Sequence, residues 1–105
     1  MPPALDFDEL RIANEQRCAE LFHPIEDWSP TDWGCAVAGE VGEACNLIKK
    51  LRRGEAIPVE EIGKELADSV IYMDLLCTRL GIDLGEAVRS KFNEISDRRG
   101  SKVKL

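Results

Sequence analysis

From Phe7 onward, apolar residues recur three and four positions apart along almost the whole chain, and no stretch alternates with the period of a strand. Such a chain folds all-α, and its stop signals divide it into four helices. Asp6 is a candidate N-cap for a first helix from about Phe7 to Phe22, which His23-Pro24 ends. After a short loop through Trp28, Ser29-Pro30 opens a second helix, with Ser at the cap and Pro in the first turn, running to about Arg53 and stopping at Gly54. The third begins at Pro58 and ends before Gly81, with Glu60 and Glu61 in its first turn and Arg79 near its last. Asp83 caps the fourth, which reaches Arg99 and stops at Gly100. Connections this short predict antiparallel neighbours, a four-helix bundle in one domain spanning residues 1–105.

The surface chemistry excludes some partners. Lys and Arg number 14 against 20 Asp and Glu, a net charge of −6, so a broad nucleic-acid-binding face is not expected. No apolar run approaches the ~20 residues of a membrane span, and the N-terminus shows no basic stretch leading into an apolar one, so a cytoplasmic protein is expected. Cys18, Cys35, Cys45 and Cys77 lack C-x-x-C spacing and fall within helical patterns, which reads as reduced packing residues and not as a zinc or redox site.

The acids are placed unevenly. At about 100° per residue, Trp33, Val37, Val41, Ala44, Leu47, Ile48 and Leu51 form the apolar arc of the second helix, yet Glu40 falls inside that arc and Glu43 on its shoulder. On the third helix the arc is Ile62, Leu66, Val70, Met73, Leu76 and Cys77, with Glu65 and Asp68 on its flank and Tyr72 between them. A buried unpaired carboxylate costs several kcal/mol, so such acids require a cation or a proton. If the two helices pack antiparallel, all four carboxylates converge. Gly39 and Gly42, each costing about 1 kcal/mol relative to Ala within a helix, sit beside them, either to let helices pack closely or to leave room for a ligand.

Oxygen ligands without nitrogen or sulfur suit a hard divalent cation, Mg²⁺ or alternatively Mn²⁺. The single histidine, His23, is remote from both acidic pairs, which argues against a di-iron bundle built on E-x-x-H. Carboxylate-held Mg²⁺ commonly completes its shell with substrate phosphates, so a phosphate ester or anhydride is the natural substrate. Basic groups are available: Lys49, Lys50, Arg52 and Arg53 end the second helix, and Lys91 and Arg98 lie among Ala87, Val88 and Ile95 on the apolar face of the fourth. They serve either as ion-pair partners of the acids or as grips on a polyphosphate. Trp28 is placed either to stack on a base or to plug the helix ends.

The run G-E-V-G-E-A at Gly39–Ala44, followed by E-L-A-D at Glu65–Asp68 and K-F-N-E-I-S-D-R-R from Lys91, resembles the E-x-x-E…E-x-x-D signature of MazG-like, all-alpha nucleoside triphosphate pyrophosphohydrolases. The resemblance extends from about Phe7 to Arg99. It implies a helical fold assembled as a homodimer or homotetramer that hydrolyses a nucleoside triphosphate between its α and β phosphates. It further implies Glu40, Glu43, Glu65 and Asp68 as catalytic Mg²⁺ ligands, and Lys91, Arg98 and Asn93 as substrate-binding residues. Asn93 faces away from Lys91 on an ideal helix, so it would serve only through another subunit or a distorted helix.

Ile71 and Leu75, opposite the main arc of the third helix, make that helix apolar on two sides, as expected of one that is sandwiched centrally or pairs with a second subunit. Two other readings remain: a non-catalytic helical binding or oligomerisation module whose acids pair with Lys91 and Arg98, and an enzyme cleaving another nucleotide phosphoanhydride.

Overall fold

The computed structural model describes residues 2–105 and is all-helical: α1 (Phe7–Leu21), α2 (Pro30–Arg52), α3 (Val59–Leu80) and α4 (Leu84–Arg99), with one 3-10 turn at Ile25–Asp27. The helix ends are built as the sequence predicts. Asp6 accepts from the Glu9 amide at 2.8 Å and Asp83 from that of Glu86 at 3.0 Å. Ser29 and Asp32 close a reciprocal capping box in front of Pro30. Gly81 and Gly100 take the left-handed conformation at φ 72° and 74°. Each lets the next residue reach back into the last turn, Ile82 N to Cys77 O and Ser101 N to Ser96 O, both at 2.8 Å.

α2 and α3 pack along each other, which the short connection at residues 53–58 permits only antiparallel. α1 lies on α3, and α4 is the outlying member of this all-α bundle, packed chiefly on α1. The α1–α4 contact is close at Gly85, where a β-carbon would meet Phe7 Cβ at 3.2 Å. Gly85→Val should therefore cost about 1–3 kcal/mol by overpacking, read as a lowered denaturation midpoint with unchanged slope.

The core gathers at one end, where Cys18, Ile25, Trp33 and Leu75 pack together with Tyr72 and Leu76 against them. Trp33, 2% exposed, donates its indole N–H to the Ile25 carbonyl at 3.1 Å. This core uses only half of the arc expected on α3: Ile62 is buried and Leu76 and Cys77 are half-buried. Leu75 is buried and Ile71 half-buried toward α1, whereas Leu66, Val70 and Met73, expected inside, are 49%, 43% and 37% exposed. α3 is apolar around most of its circumference, and with α1 and α2 both packed on it the strip of Leu66, Val70 and Met73 is left bare. The same holds for Val41, Ile48 and Leu51 on α2, and for Val88, Phe92 and Ile95 on α4, all exposed. Of the cysteines, Cys18 is buried and Cys77 half-buried, but Cys35 and Cys45 are exposed on α2 and so pack nothing within one chain.

The open faces are reflected in overall size. The radius of gyration is 16.2 Å, against about 13 Å for a typical domain of this length. The accessible surface is 7617 Å², against about 5,900 Å² for a folded monomer of this mass. No helix among the described residues is long and apolar enough to cross a membrane.

Candidate active site

The α2–α3 pairing brings both acidic motifs together. Carboxylate oxygens of Glu40, Glu43 and Glu65 all lie within 4.8 Å of one another. Glu40 Oε2 and Glu65 Oε2 are sealed from solvent and have no hydrogen-bond donor in the protein. Burial raises the Glu40 carboxyl above its ordinary pKa, reinforced by the negative charges of Glu43 and Asp68. Glu65 is raised first by Glu43, close enough to share a proton with it, then by burial and by the charges of Glu43, Glu40 and Asp68. Asp68 thus belongs to the same field, although its oxygens are not part of the three-residue group. No basic side chain lies within ion-pair distance of any of these four acids among the described residues.

The donor set fits a hard divalent cation. Three carboxylates held this close repel one another, and two of their oxygens lack the donors that buried acceptors require, so a cation would answer both deficits.

Space beside the acids is open. A β-carbon at Gly39 or Gly42 would meet nothing within 4 Å, so close helix packing does not explain either glycine in this chain. Gly42→Ala should raise the stability of the metal-free protein by about 1 kcal/mol, about 4–8 °C in a thermal melt of a small domain.

A cavity of about 230 Å³ includes in its wall Asp68, whose charge acts on Glu40 and Glu65. Much of its wall is aromatic, with Phe22, His23, Trp28, Trp33 and Tyr72 among the lining residues. Ring centroids stand 4.7 Å apart for Trp28 and Trp33, 4.8 Å for His23 and Trp28, and 6.2 Å for Trp33 and Tyr72. His23 Nδ1 lies 2.8 Å from the Pro24 carbonyl, an acceptor only, so this nitrogen carries the proton. Arg79, expected only to complement the α3 dipole, donates to the Trp28 carbonyl at 2.8 Å and fixes the loop that carries the indole. Trp28 is therefore a cavity wall, and Trp33 is both core and wall.

Apart from Asp68, the polar lining of this cavity was not singled out from sequence as part of a site. Asn14 and Arg17 line it, and Asn14 is tied to Asp74, which is 1% exposed. A polar Asn and Arg within the apolar repeat of α1, and an Asp in the apolar repeat of α3, were the available signals.

The basic residues expected at the site are elsewhere. Lys91 pairs with Glu94 on its own helix at 3.3 Å, so it does not neutralise the acidic pairs within one chain. Asn93 holds the C-terminus, donating to the Leu105 carbonyl at 3.2 Å and accepting from its amide at 2.9 Å. Arg98 lies on the same outlying helix, which packs chiefly on α1 and not on the α2–α3 pair. Arg53 pairs with Glu55 at 2.7 Å. On α4 the apolar stripe of Val88, Phe92 and Ile95 is exposed, and close contact with α1 is made at Gly85, near its N-terminus. No family model, curated protein or solved structure matches this chain.

Proposed function

We propose that the protein is a Mg²⁺-dependent pyrophosphohydrolase that cleaves a nucleoside or deoxynucleoside triphosphate between its α and β phosphates. The observation that carries this reading is the convergence of Glu40, Glu43 and Glu65, with two buried oxygens lacking any donor, together with an aromatic cavity that has Asp68 in its wall. The resemblance of G-E-V-G-E-A and E-L-A-D to the MazG-like signature points the same way.

In this reading Glu40, Glu43, Glu65 and Asp68 hold the ion, with Mn²⁺ as an alternative to Mg²⁺. Bound Mg²⁺ supplies a Lewis acid for the phosphate oxygens and offsets the charge of the departing pyrophosphate. Trp28 stacks on the base and the aromatic walls exclude water around it, which fixes the α phosphate against the carboxylates. A carboxylate oxygen not engaged as a ligand accepts the proton of the attacking water. Lys91, Arg98 and Asn93 take part only if a second copy brings its α4 to the site, so the active form is a homodimer or homotetramer. The excess surface of about 1,700 Å² per chain over a folded monomer supports that assembly.

Incubation with a panel of NTPs and dNTPs plus Mg²⁺, with products resolved by anion exchange, tests the reading. Monophosphate plus pyrophosphate is expected. Diphosphate plus phosphate would move the cleavage to another anhydride bond, and no turnover across the panel would favour a non-catalytic helical module.

A further inference from the structure

We infer that Asn14, in the wall of the aromatic cavity, selects among pyrimidine bases for the one carrying an exocyclic amino group, cytosine over uracil or thymine. This rests on the nucleotide reading above and names the base that reading leaves open.

Asn14 is 4% exposed, and its side-chain amide nitrogen donates to the Ile71 carbonyl at 2.9 Å and to Asp74 Oδ2 at 3.1 Å. A backbone carbonyl is only an acceptor, and so is a carboxylate. Turning the amide over would set its oxygen against both, losing two hydrogen bonds and creating two acceptor–acceptor contacts. The orientation is therefore fixed by its neighbours. Asp74 is held in turn by Arg11, whose Nε lies 3.8 Å from Oδ1 and whose guanidinium also donates to the Ile82 carbonyl.

Both amide protons of Asn14 are spent, and its oxygen has no protein donor. Asn14 lines the cavity, and with its amide nitrogen committed to Ile71 and Asp74 the oxygen is the polar atom it has left to offer a ligand there. The cavity thus presents a rigid acceptor. Arg17, which lines it too and has no carboxylate within ion-pair distance among the described residues, brings donors only.

An acceptor and a donor on one cavity wall complement the edge of cytosine, where the N4 amino group donates and its neighbours N3 and O2 accept. Uracil and thymine place the O4 acceptor where cytosine has N4, so lone pairs would face the Asn14 oxygen, which cannot turn away. At about 230 Å³ the cavity is smaller than the ~300–1,000 Å³ of pockets that take drug-sized ligands. It suits one planar ring, with the phosphates left outside beside the acids.

The test titrates the full chain with dCMP and dUMP, following the emission of its two tryptophans, Trp28 and Trp33, both in the cavity wall. dCMP is expected to bind at least ~10-fold tighter, within the discrimination of one well-made base contact. Asn14→Ala should bring the two affinities within about twofold. Since that variant strips a donor from buried Asp74 and can unfold the protein, Asp74→Asn, which keeps the shape, provides a second reading and should also shrink the ratio. A merely structural role for either residue would weaken both nucleotides equally and leave the ratio intact, which would overturn the inference, as would equal affinities or no quenching by either nucleotide in the parent protein. Triphosphate cleavage without base preference would sink this inference alone. A dCMP preference without cleavage would sink the hydrolytic reading alone.

Discussion

Replacing Glu65 by Gln is expected to lower triphosphate cleavage at least ~100-fold, the scale of removing one electrostatic group from a preorganised site. The same change should raise the melting temperature of the metal-free protein at neutral pH and abolish the further rise produced by Mg²⁺. The opposite signs follow from one cause. Without a cation, Glu65 sits among Glu43, Glu40 and Asp68 with a sealed oxygen and no donor, and its carboxyl is raised above the ordinary value of 4.5. A carboxyl whose folded pKa is raised favours folding while protonated, and that contribution is lost as pH rises through the folded value. The variant carries no such loss, so its advantage in melting temperature should be absent in acid and grow as pH climbs from 4.5 through the range just above it. Mg²⁺ binds only the ionised group, so it reverses the ranking: the parent gains stability with metal concentration by mass action, and the variant does not. Melts of both proteins from acid to neutral pH, with and without Mg²⁺, measure all of this. A lower metal-free melting temperature in the variant would mean that the cluster is a satisfied structural element, and the metal reading would fall.

The cluster was legible in the sequence because it is a local property. Two carboxylates three residues apart on the flank of an apolar arc need only the helical period, and the short loop at residues 53–58 converts two such pairs into one site. The caps were legible for the same reason: Asp6, Ser29 with Asp32, Asp83, Gly81 and Gly100 act within four residues of themselves. The bond from Asn14 to Asp74 spans sixty positions and has no periodic trace. Nor could the pattern tell which strip of α3 stays bare, because Leu66, Val70 and Met73, which are exposed, share their arc with Ile62, Leu76 and Cys77, which are buried or half-buried. Burial was decided by α1, which docks on the side of Ile71 and Leu75 through Cys18 and Asn14.

Val70→Lys is expected to convert the protein to a monomer and to lower its activity together with its assembly. Val70 lies on the uncovered side of α3, 43% exposed between equally uncovered Leu66 and Met73, two residues beyond Asp68. The excess of about 1,700 Å² per chain over a folded monomer of this mass would correspond to roughly 3,400 Å² buried between two copies, within the 2,000–5,000 Å² range of obligate dimers. A lysine ammonium trapped there without a partner costs several kcal/mol, whereas on a free surface it costs almost nothing. The substitution therefore discriminates between the two situations. Sedimentation velocity should show the parent as a dimer or tetramer and the variant as a single 11.7 kDa species. Activity should fall with assembly because Lys91 and Arg98 are on α4, which does not pack on the α2–α3 acids of its own chain. A monomeric variant with full activity would remove any role for a second copy's α4 at the site, and an oligomer unaffected by the lysine would place the interface away from this face of α3. If both assembly and activity fall, the stripe left bare on α3 and the unpaired acids one turn away have a single explanation: the chain folds half of its site and takes the basic half from its neighbour.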